Sequence, residues 1–260
     1  MFKSLQVILS LYMLSSLTLA GDPTSLYEER TVTINVDGKD ETFKYRLMKP
    51  AKVEAGKKYP LVLFLHGAGE RGDDNKSQLK YGPTWLADDK NREKYPCYVL
   101  APQCRNGKKW AEVDWSAATS TPMAAEPGSQ MKAALAALDD TIKKEQVDES
   151  RLYLTGLSMG GYGSWDLAAR QPERFAAVVP ICGGGDEKQA PKLTKLPIWV
   201  WHGDADTAVK VTRSRQMVEA IKAAGGSPKY TELPKVGHDS WTAAYTGPEN
   251  CLSWMFEQKK

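Results

Sequence analysis

The chain has 260 residues, of which 42% are apolar and 26% charged, and its formal net charge at neutral pH is +3. This length and composition predict one globular domain with a substantial core and are unlike those of a disordered chain. The 35 basic and 32 acidic residues are interspersed rather than segregated, which argues against a nucleic-acid-binding arm or a polybasic membrane-binding segment. We expect no nucleic acid among its partners.

Residues 1–20 differ in composition from the rest of the chain. They begin with Lys3, continue as an apolar run broken by Gln6 and by serines, and end in small residues at Ala20. This pattern is typical of a secretory signal peptide, and the run is too interrupted for a membrane span of about 20 apolar residues. We expect cleavage after Ala20, which leaves residues 21–260 as a single catalytic domain, secreted or periplasmic, with no stable insertion in a membrane.

The next elements along the chain are two strands of alternating apolar and polar residues. RTVTINVD and TFKYRLM lie between about residues 31 and 48 and are joined by the turn sequence DGKD. Alternation with period two is typical of strands that bury one face. An antiparallel hairpin is therefore predicted at the N-terminal end of the domain.

After Pro60, short apolar runs alternate with helical patterns. Apolar runs that end in Gly or Pro are typical of parallel strands covered on both faces. The runs are 61–67, 98–102, 152–156, 176–185 and 198–203, with a further strand at 229–233, and the helical segments are 129–145, 161–173 and 214–226. This order predicts a mostly parallel sheet with helices on both faces, in which ligands bind at the carboxyl ends of the strands.

Four cysteines are spread along the chain without a CxxC pair: Cys97, Cys104, Cys182 and Cys251. Cys97 and Cys104 flank a predicted strand, whose rise of about 3.3 Å per residue puts them beyond the roughly 7 Å limit for a disulfide. Neither a ligand cluster nor a His pair accompanies these spacings, which disfavours a metal site. We expect no metal and no cofactor.

The sequence LYLTGLSMGGYGSW, residues 152–165, places Ser158 between Gly156 and Gly160, after a strand and before a helix. A serine at such a corner is held in a strained conformation that exposes its hydroxyl, and glycines are required where neighbouring chain passes close by. The first N–H of the following helix, that of Met159, can stabilise a developing oxyanion. The pattern predicts a nucleophile at Ser158, and the flanking strand and helix argue against a chance match to GxSxG.

A serine nucleophile needs a base and an acid that orients the base, and in folds with this corner they follow in the order Ser, Asp, His. Of the three histidines, only His238 in VGHDSW follows both the serine and a candidate acid. The loop WHGDADTAV offers Asp204 and Asp206. Asp206 is favoured because it lies further from the strand end, but Asp204 stays open. We expect activity to rise with pH as His238 deprotonates, near its ordinary pKa of about 6.5.

The loop HGAGERGDDN, residues 66–75, follows a predicted strand and is the expected source of the second oxyanion donor. Its glycines let the backbone approach a reacting carbonyl, and the N–H of Ala68 is favoured over that of Gly69. Glu70 and Arg71 then lie at the rim, where they either pair with each other or Arg71 meets an acidic group of the substrate. Arg71 is therefore a candidate substrate-binding residue.

Seven linked motifs are spread over about residues 28–258: HGAGERGDDN, LAPQC, VDWS, GLSMGGYGSW, ICGGGD, WHGDADTAV and GHDSW. Together they resemble those of secreted α/β-hydrolases of the dienelactone-hydrolase, feruloyl-esterase and phospholipase/carboxylesterase kind. The resemblance implies the α/β-hydrolase fold, with Ser158 as nucleophile, Asp206 as acid, His238 as base, and Ala68 and Met159 as oxyanion donors. Dienelactone hydrolase itself has a cysteine nucleophile, and this chain departs from it there.

The segment 182–196 between two predicted strands is too short for a cap domain, so we expect an open cleft. Trp115 and Trp241 either stack on a sugar or aryl group of the substrate or pack in the core. We expect a serine carboxylesterase, similar to feruloyl or acetyl esterases, that acts on small-molecule or polysaccharide-linked esters through an acyl-enzyme. The alternatives are a serine peptidase of the prolyl-oligopeptidase type and a noncatalytic carbohydrate-binding protein with a relic triad.

Overall fold

The structure is a computed structural model that describes residues 22–260. In this range the strands are β1 Tyr27–Val36, β2 Lys39–Met48, β3 Tyr59–Leu65, β4 Tyr98–Pro102, β5 Val147–Leu157, β6 Ala177–Ile181, β7 Trp199–Gly203 and β8 Lys229–Leu233. The α-helices are α1 Gly82–Leu86, α2 Asp89–Lys94, α3 Ser129–Lys144, α4 Met159–Arg170, α5 Thr212–Ala223, α6 Trp241–Thr246 and α7 Cys251–Glu257. The predicted signal peptide, residues 1–20, lies outside the described residues.

All eight strands belong to one sheet, in the order β1-β2-β4-β3-β5-β6-β7-β8. The pairs β1/β2 and β2/β4 are antiparallel, and the pairs from β4 to β8 are parallel. The hairpin closes through Asp37 and Gly38, whose φ values of 50° and 85° suit the two-residue turn that matches strand twist. The predicted mostly parallel sheet with an N-terminal antiparallel hairpin is confirmed.

Helices cover both faces of the sheet because successive residues of the central strands are apolar. Leu61, Leu63 and Leu65 of β3 belong to one buried cluster, which also contains side chains of α3, α4 and α5. Val62 and Phe64 of the same strand belong to a second cluster, with side chains of α1, α6 and α7. Side chains alternate between the faces of a strand, so the prediction that the apolar run 61–67 is a strand buried on both sides is confirmed.

Several predicted boundaries differ from the structure; for example, the strand predicted at 176–185 is β6, which ends at Ile181. The strand predicted at 152–156 begins at Val147, because Val147 also pairs with Tyr59 of β3, ahead of a register shift. The helix predicted at 161–173 is α4, which begins at Met159 and ends at Arg170, before Pro172. A proline disfavours the helical conformation of the residue that precedes it, which accounts for the earlier end.

The four cysteines are buried and free, so the prediction that Cys97 and Cys104 do not pair with each other is confirmed. The short segment after β6 holds a 3-10 helix at Glu187–Leu193 and, within the described residues, no cap domain. Over residues 22–260, no helix combines the length and the apolar composition that a membrane crossing requires.

Gly156 and Gly160 lie where β5, α4 and the end of β3 come together. A Cβ on Gly160 would overlap the carbonyl oxygen of Leu65, and a Cβ on Gly156 would overlap that of Gly160. Backbone carbonyls cannot turn aside as side chains do, so these two positions require glycine. This contact is the structural reason for both glycines of the GxSxG motif.

We expect Gly160→Ala to lower the free energy of unfolding by about 3 kcal/mol, the upper end of the usual cost of overpacking. Urea denaturation of the purified variant measures the change. Gly69→Ala is the matched control, because no atom lies within 4 Å of a Cβ placed there. Equal stability of the two variants would show that the corner relaxes freely.

Candidate active site

Ser158 occupies the corner between β5 and α4. Its φ of 54° and ψ of −118° are strained for a residue with a side chain, and such strain is characteristic of functional positions. The backbone N–H of Ser158 donates to the carbonyl of Ile181 at 3.0 Å, which ties the corner to β6. The hydroxyl lines an open cleft of about 320 Å³ at the carboxyl ends of the strands.

The structure brings together the three side chains that the sequence analysis selected. Nε2 of His238 lies 2.9 Å from Oγ of Ser158, and Nδ1 of the same ring lies 2.7 Å from Oδ2 of Asp206. The side chain of Asp206 is fully buried, whereas that of His238 is 28% exposed. The three residues therefore form one continuous hydrogen-bonded chain from the cleft into the interior.

Asp206 is held in place by its own loop. Its Oδ1 accepts hydrogen bonds from the backbone N–H groups of Ala208 and Val209, at 2.8 and 2.9 Å. Burial alone would raise the pKa of this carboxyl, but hydrogen bonds from His202, His238 and the Val209 N–H bring it well below its usual range. Asp206 is therefore an ionised, fixed acceptor at neutral pH.

Asp204, the other candidate acid, has a different position. It is exposed, and its Oδ1 accepts from the backbone N–H of Lys235 at 2.6 Å. Asp204 thereby fastens the loop that precedes His238. The structure separates the two acids by their partners, since Asp206 contacts the histidine ring and Asp204 contacts backbone.

His202 is a contact of Asp206 that the sequence analysis misses. Its Nε2 lies 3.2 Å from Oδ2 of Asp206 and 3.0 Å from the carbonyl of Val209, so this nitrogen carries a proton. Its Nδ1 lies 2.7 Å from Oγ of Ser214. The order of residues excludes His202 as the base because it precedes the acid, yet its place four residues before Asp206 is a signal that the two could meet.

His66, the remaining histidine, is part of the loop scaffold. Its Nε2 accepts from the backbone N–H of Cys104 at 2.9 Å, and Nδ1 lies 2.6 Å from the carbonyl of Gly67. Burial lowers its pKa to about 4. His66 is thus a neutral side chain that links the loops after β3 and β4.

Ala68 and Met159 each begin a helical turn beside Ser158. Ala68 is the first residue of the 3-10 turn Ala68–Glu70, and Met159 is the first residue of α4. The first N–H groups of a helix have no acceptor within that helix. Ala68 and Gly69 both line the cleft, so the loop after β3 lies where the sequence analysis expects an oxyanion donor.

Arg71, the candidate substrate-binding residue, is not among the residues that line the cleft. Its guanidinium lies 5.8 Å from the ring centroid of Trp115, which does line the cleft. Its Nε donates to the carbonyl of Ala68 at 2.9 Å, and Nη1 donates to that of Lys108 at 3.4 Å. Within the described residues, no ion pair joins Arg71 to Glu70. These two hydrogen bonds support the loop that carries Ala68.

Aromatic side chains form the walls of the cleft. Trp115, Trp241 and Tyr81 all line it, and the ring centroids of Tyr81 and Trp241 are 5.3 Å apart. Tyr81 also has a φ of 65°, an unfavourable value for a bulky residue. Trp165, on α4, is by contrast buried in the core.

The surroundings of His238 change the pH dependence that the sequence alone suggests. Burial alone would lower the pKa of His238, but hydrogen bonds and charge from Asp206 and Cys182 raise it to about 10. A base acts in its neutral form, so a raised pKa moves the rise in activity to higher pH. We expect the midpoint of kcat/KM to lie above the ordinary value of about 6.5, as measured with a neutral ester. A plateau already reached at that pH would contradict this prediction.

Comparisons with known proteins agree with this fold. The model of the phospholipase/carboxylesterase family matches residues 50–247. A solved thermostable esterase is 36% identical with a TM-score of 0.81, and the match covers 92% of this chain and 64% of that one. A solved ferulic acid esterase, 18% identical with a TM-score of 0.64 and coverage of 88% and 98%, shares the fold.

Among curated proteins, poly(3-hydroxyalkanoate) depolymerase C of Paucimonas lemoignei is 25% identical over 197 residues, which are 62% of this chain and 44% of that protein. The chain thus spans less than half the length of this curated relative. The family model nevertheless covers most of the chain, and the sheet order and the strand-to-helix corner agree with it. The chain therefore belongs to the phospholipase/carboxylesterase family, a family of α/β-hydrolases that act on carboxylic esters.

Proposed function

We propose that this protein hydrolyses carboxylic esters through an acyl-enzyme, with Ser158 as nucleophile, His238 as general base and Asp206 as the residue that orients the base. The observation that carries the proposal is the hydrogen-bonded chain of 2.9 Å and 2.7 Å that joins the three side chains. A serine hydroxyl is a weak nucleophile unless a base lies within such reach.

The reaction follows from the positions of the atoms. Nε2 of His238 takes the proton of Ser158 as its Oγ attacks the ester carbonyl, and Asp206 stabilises the resulting imidazolium. The N–H groups of Ala68 and Met159 receive the oxyanion. His238 then gives its proton to the leaving alcohol, and water repeats the sequence on the acyl-enzyme.

The cleft favours an ester with a flat or ring-shaped group on either side of the ester bond, such as an aryl acyl group or a sugar alcohol. Its volume of about 320 Å³ is at the lower end of the range for small-molecule sites, which is about 300–1,000 Å³. The ring of Trp115 lines the cleft, and the ammonium of Lys109 lies 5.0 Å from its centroid. Tyr81 and Trp241 contact each other in the same cleft. We propose feruloyl or acetyl esters, free or linked to polysaccharide, as the substrate class.

A substrate panel tests the proposal. We expect hydrolysis of p-nitrophenyl acetate, methyl ferulate and an acetylated sugar, with far lower kcat/KM for a matched peptide amide. Cleavage of the amide alone would favour a serine peptidase. Failure of a fluorophosphonate probe to label Ser158 would favour a noncatalytic binding protein.

We also propose that the chain is exported, which rests on the sequence pattern of residues 1–20. Expression of the full chain in a bacterial host, followed by N-terminal sequencing of the extracytoplasmic protein, tests this proposal. The expected first residue is Gly21. Recovery of protein that still begins with Met1 from the cytoplasm alone would contradict it.

A further inference from the structure

Cys182 follows β6 directly and is fully buried beside the pair formed by Asp206 and His238. Three possible ligand atoms, the Sγ of Cys182, a carboxylate oxygen of Asp206 and a ring nitrogen of His238, all lie within 4.8 Å of one another. The backbone N–H of Cys182 donates to the carbonyl of Trp201 at 2.8 Å. The thiol is therefore attached to the central sheet rather than to a mobile surface loop.

We propose that Cys182, Asp206 and His238 form a binding site for a thiophilic divalent cation, such as Zn²⁺ or Cd²⁺, and that occupation of this site stops ester hydrolysis. Sulfur, imidazole nitrogen and carboxylate oxygen are the ligands that zinc takes in proteins. Thiolate in the set favours soft ions over Mg²⁺ and Ca²⁺.

The distances suit such an ion after side-chain movements of up to about 1.5 Å, since ligand atoms as far apart as 4.8 Å have to approach each other. Bonds of about 2.0–2.3 Å in a tetrahedral site put the ligand atoms roughly 3.3–3.6 Å apart. The three atoms already lie within 4.8 Å of one another, and the 2.7 Å between Nδ1 and Oδ2 has to open by less than about 1 Å to reach that spacing. The partly exposed ring of His238 gives access from the cleft.

The charges of the site also suit a divalent ion. A thiolate and a carboxylate together carry two negative charges, and the imidazole ligand is neutral. A divalent cation gives a neutral complex, which is the least costly arrangement in a buried place. Binding releases the thiol proton to solvent, together with one proton of the His238 ring wherever that ring is charged, and no electron is transferred.

Occupation of the site removes the base. An ion bonded to Nδ1 of His238 moves the ring proton to Nε2, which then donates to Ser158 and no longer accepts its proton. An ion bonded to Nε2 instead occupies the lone pair that would accept the proton of Ser158. This loss of activity rests on the proposed function, whereas binding of the ion does not.

Direct binding is tested by titration of the purified protein with CdCl₂, followed by thiolate-to-cadmium charge-transfer absorption. We expect one ion per chain with a thiolate band that is lost in Cys182→Ala and in Cys182→Ser. The band should persist in Cys97→Ala, which removes a buried thiol outside the site. Thermal melting checks that each variant is folded. Absence of the band, or its persistence without Cys182, would overturn the proposal.

The second measurement is inhibition of ester hydrolysis, with each variant compared with its own metal-free rate. We expect inhibition that a chelator reverses and that needs at least about tenfold more Cd²⁺ in Cys182→Ser, since loss of even an outer partner of a metal ligand costs about 10–100-fold in affinity. Binding of Cd²⁺ without inhibition would contradict the proposal that occupation of the site stops ester hydrolysis. A metal-free protein without esterase activity would instead refute the proposed function and leave the binding result intact.

Discussion

Ser158→Ala is expected to lower kcat for ester hydrolysis by at least about 10³, because the members of a triad act as a unit. The substitution removes the Oγ that lies 2.9 Å from Nε2 of His238 and leaves the base without a nucleophile to activate. Alanine at this position keeps the backbone and the neighbouring contacts, so the melting temperature should change little. Steady-state kinetics with p-nitrophenyl acetate measures the effect.

Ser150→Ala is the matched control for this prediction. Ser150 lies near the opposite end of the same strand, where its hydroxyl donates to Asp148 at 2.6 Å. We expect normal kcat in this control and normal labelling by a fluorophosphonate probe, which Ser158→Ala should lack. Turnover within about tenfold of the unmodified protein in Ser158→Ala would end the acyl-enzyme proposal.

The sheet is predictable from the sequence because its signals are local. Apolar runs such as LVLFLHG indicate in their own residues that both faces are covered, and alternation in TFKYRLM indicates that one face is. The corner at Ser158 is equally local, since strand, glycines and helix all fall within residues 152–165. The start of β5 is not predicted because Val147, which is buried and pairs with Tyr59 of β3, is followed by the polar residues DESR.

Contacts between loops are harder to predict than strands. The choice between Asp204 and Asp206 depends on which carboxylate turns inward. That orientation is set by the N–H groups of Ala208 and Val209 and by the distance to His238, on a separate loop further along the chain. The order of residues along the sheet edge can be read from the chain, but only the three-dimensional arrangement distinguishes the two acids.

Arg71 and His202 are two further residues whose contacts the sequence does not predict. Arg71 is a candidate site residue from the sequence, and His202 is not. Arg71 is a candidate for substrate binding from its place in the loop, and the sequence does not predict that two of its donors bond to the carbonyls of Ala68 and Lys108. The order of residues along the chain excludes His202 as the base, but the Nε2 of His202 lies 3.2 Å from the carboxylate of Asp206. Neither partnership has a motif signal, and the four-residue spacing of His202 and Asp206 indicates only that the two could meet, because each contact depends on how a loop turns after folding.

Asp206→Asn is expected to lower kcat by about 10⁴, the loss measured when asparagine replaces the orienting acid of a serine-protease triad. The amide oxygen of the substituted side chain best replaces Oδ1, which accepts from two backbone N–H groups. Its NH₂ group then faces Nδ1 of His238 and Nε2 of His202. Two donors cannot pair, so the proton of His238 moves to Nε2 and the ring loses its acceptor for Ser158.

Asp204→Asn separates this effect from a general disturbance of the loop. The Oδ1 of Asp204 accepts from the backbone N–H of Lys235 at 2.6 Å, and an amide oxygen can replace that acceptor, so kcat should stay near normal. Kinetics with p-nitrophenyl acetate on both variants gives the comparison. If Asp206→Asn loses less than about tenfold, or if both variants lose equally, Asp206 does not orient the base. The difference in kcat between Asp206→Asn and Asp204→Asn therefore measures how strongly the hydrogen bond between His238 Nδ1 and Asp206 controls the tautomer of His238.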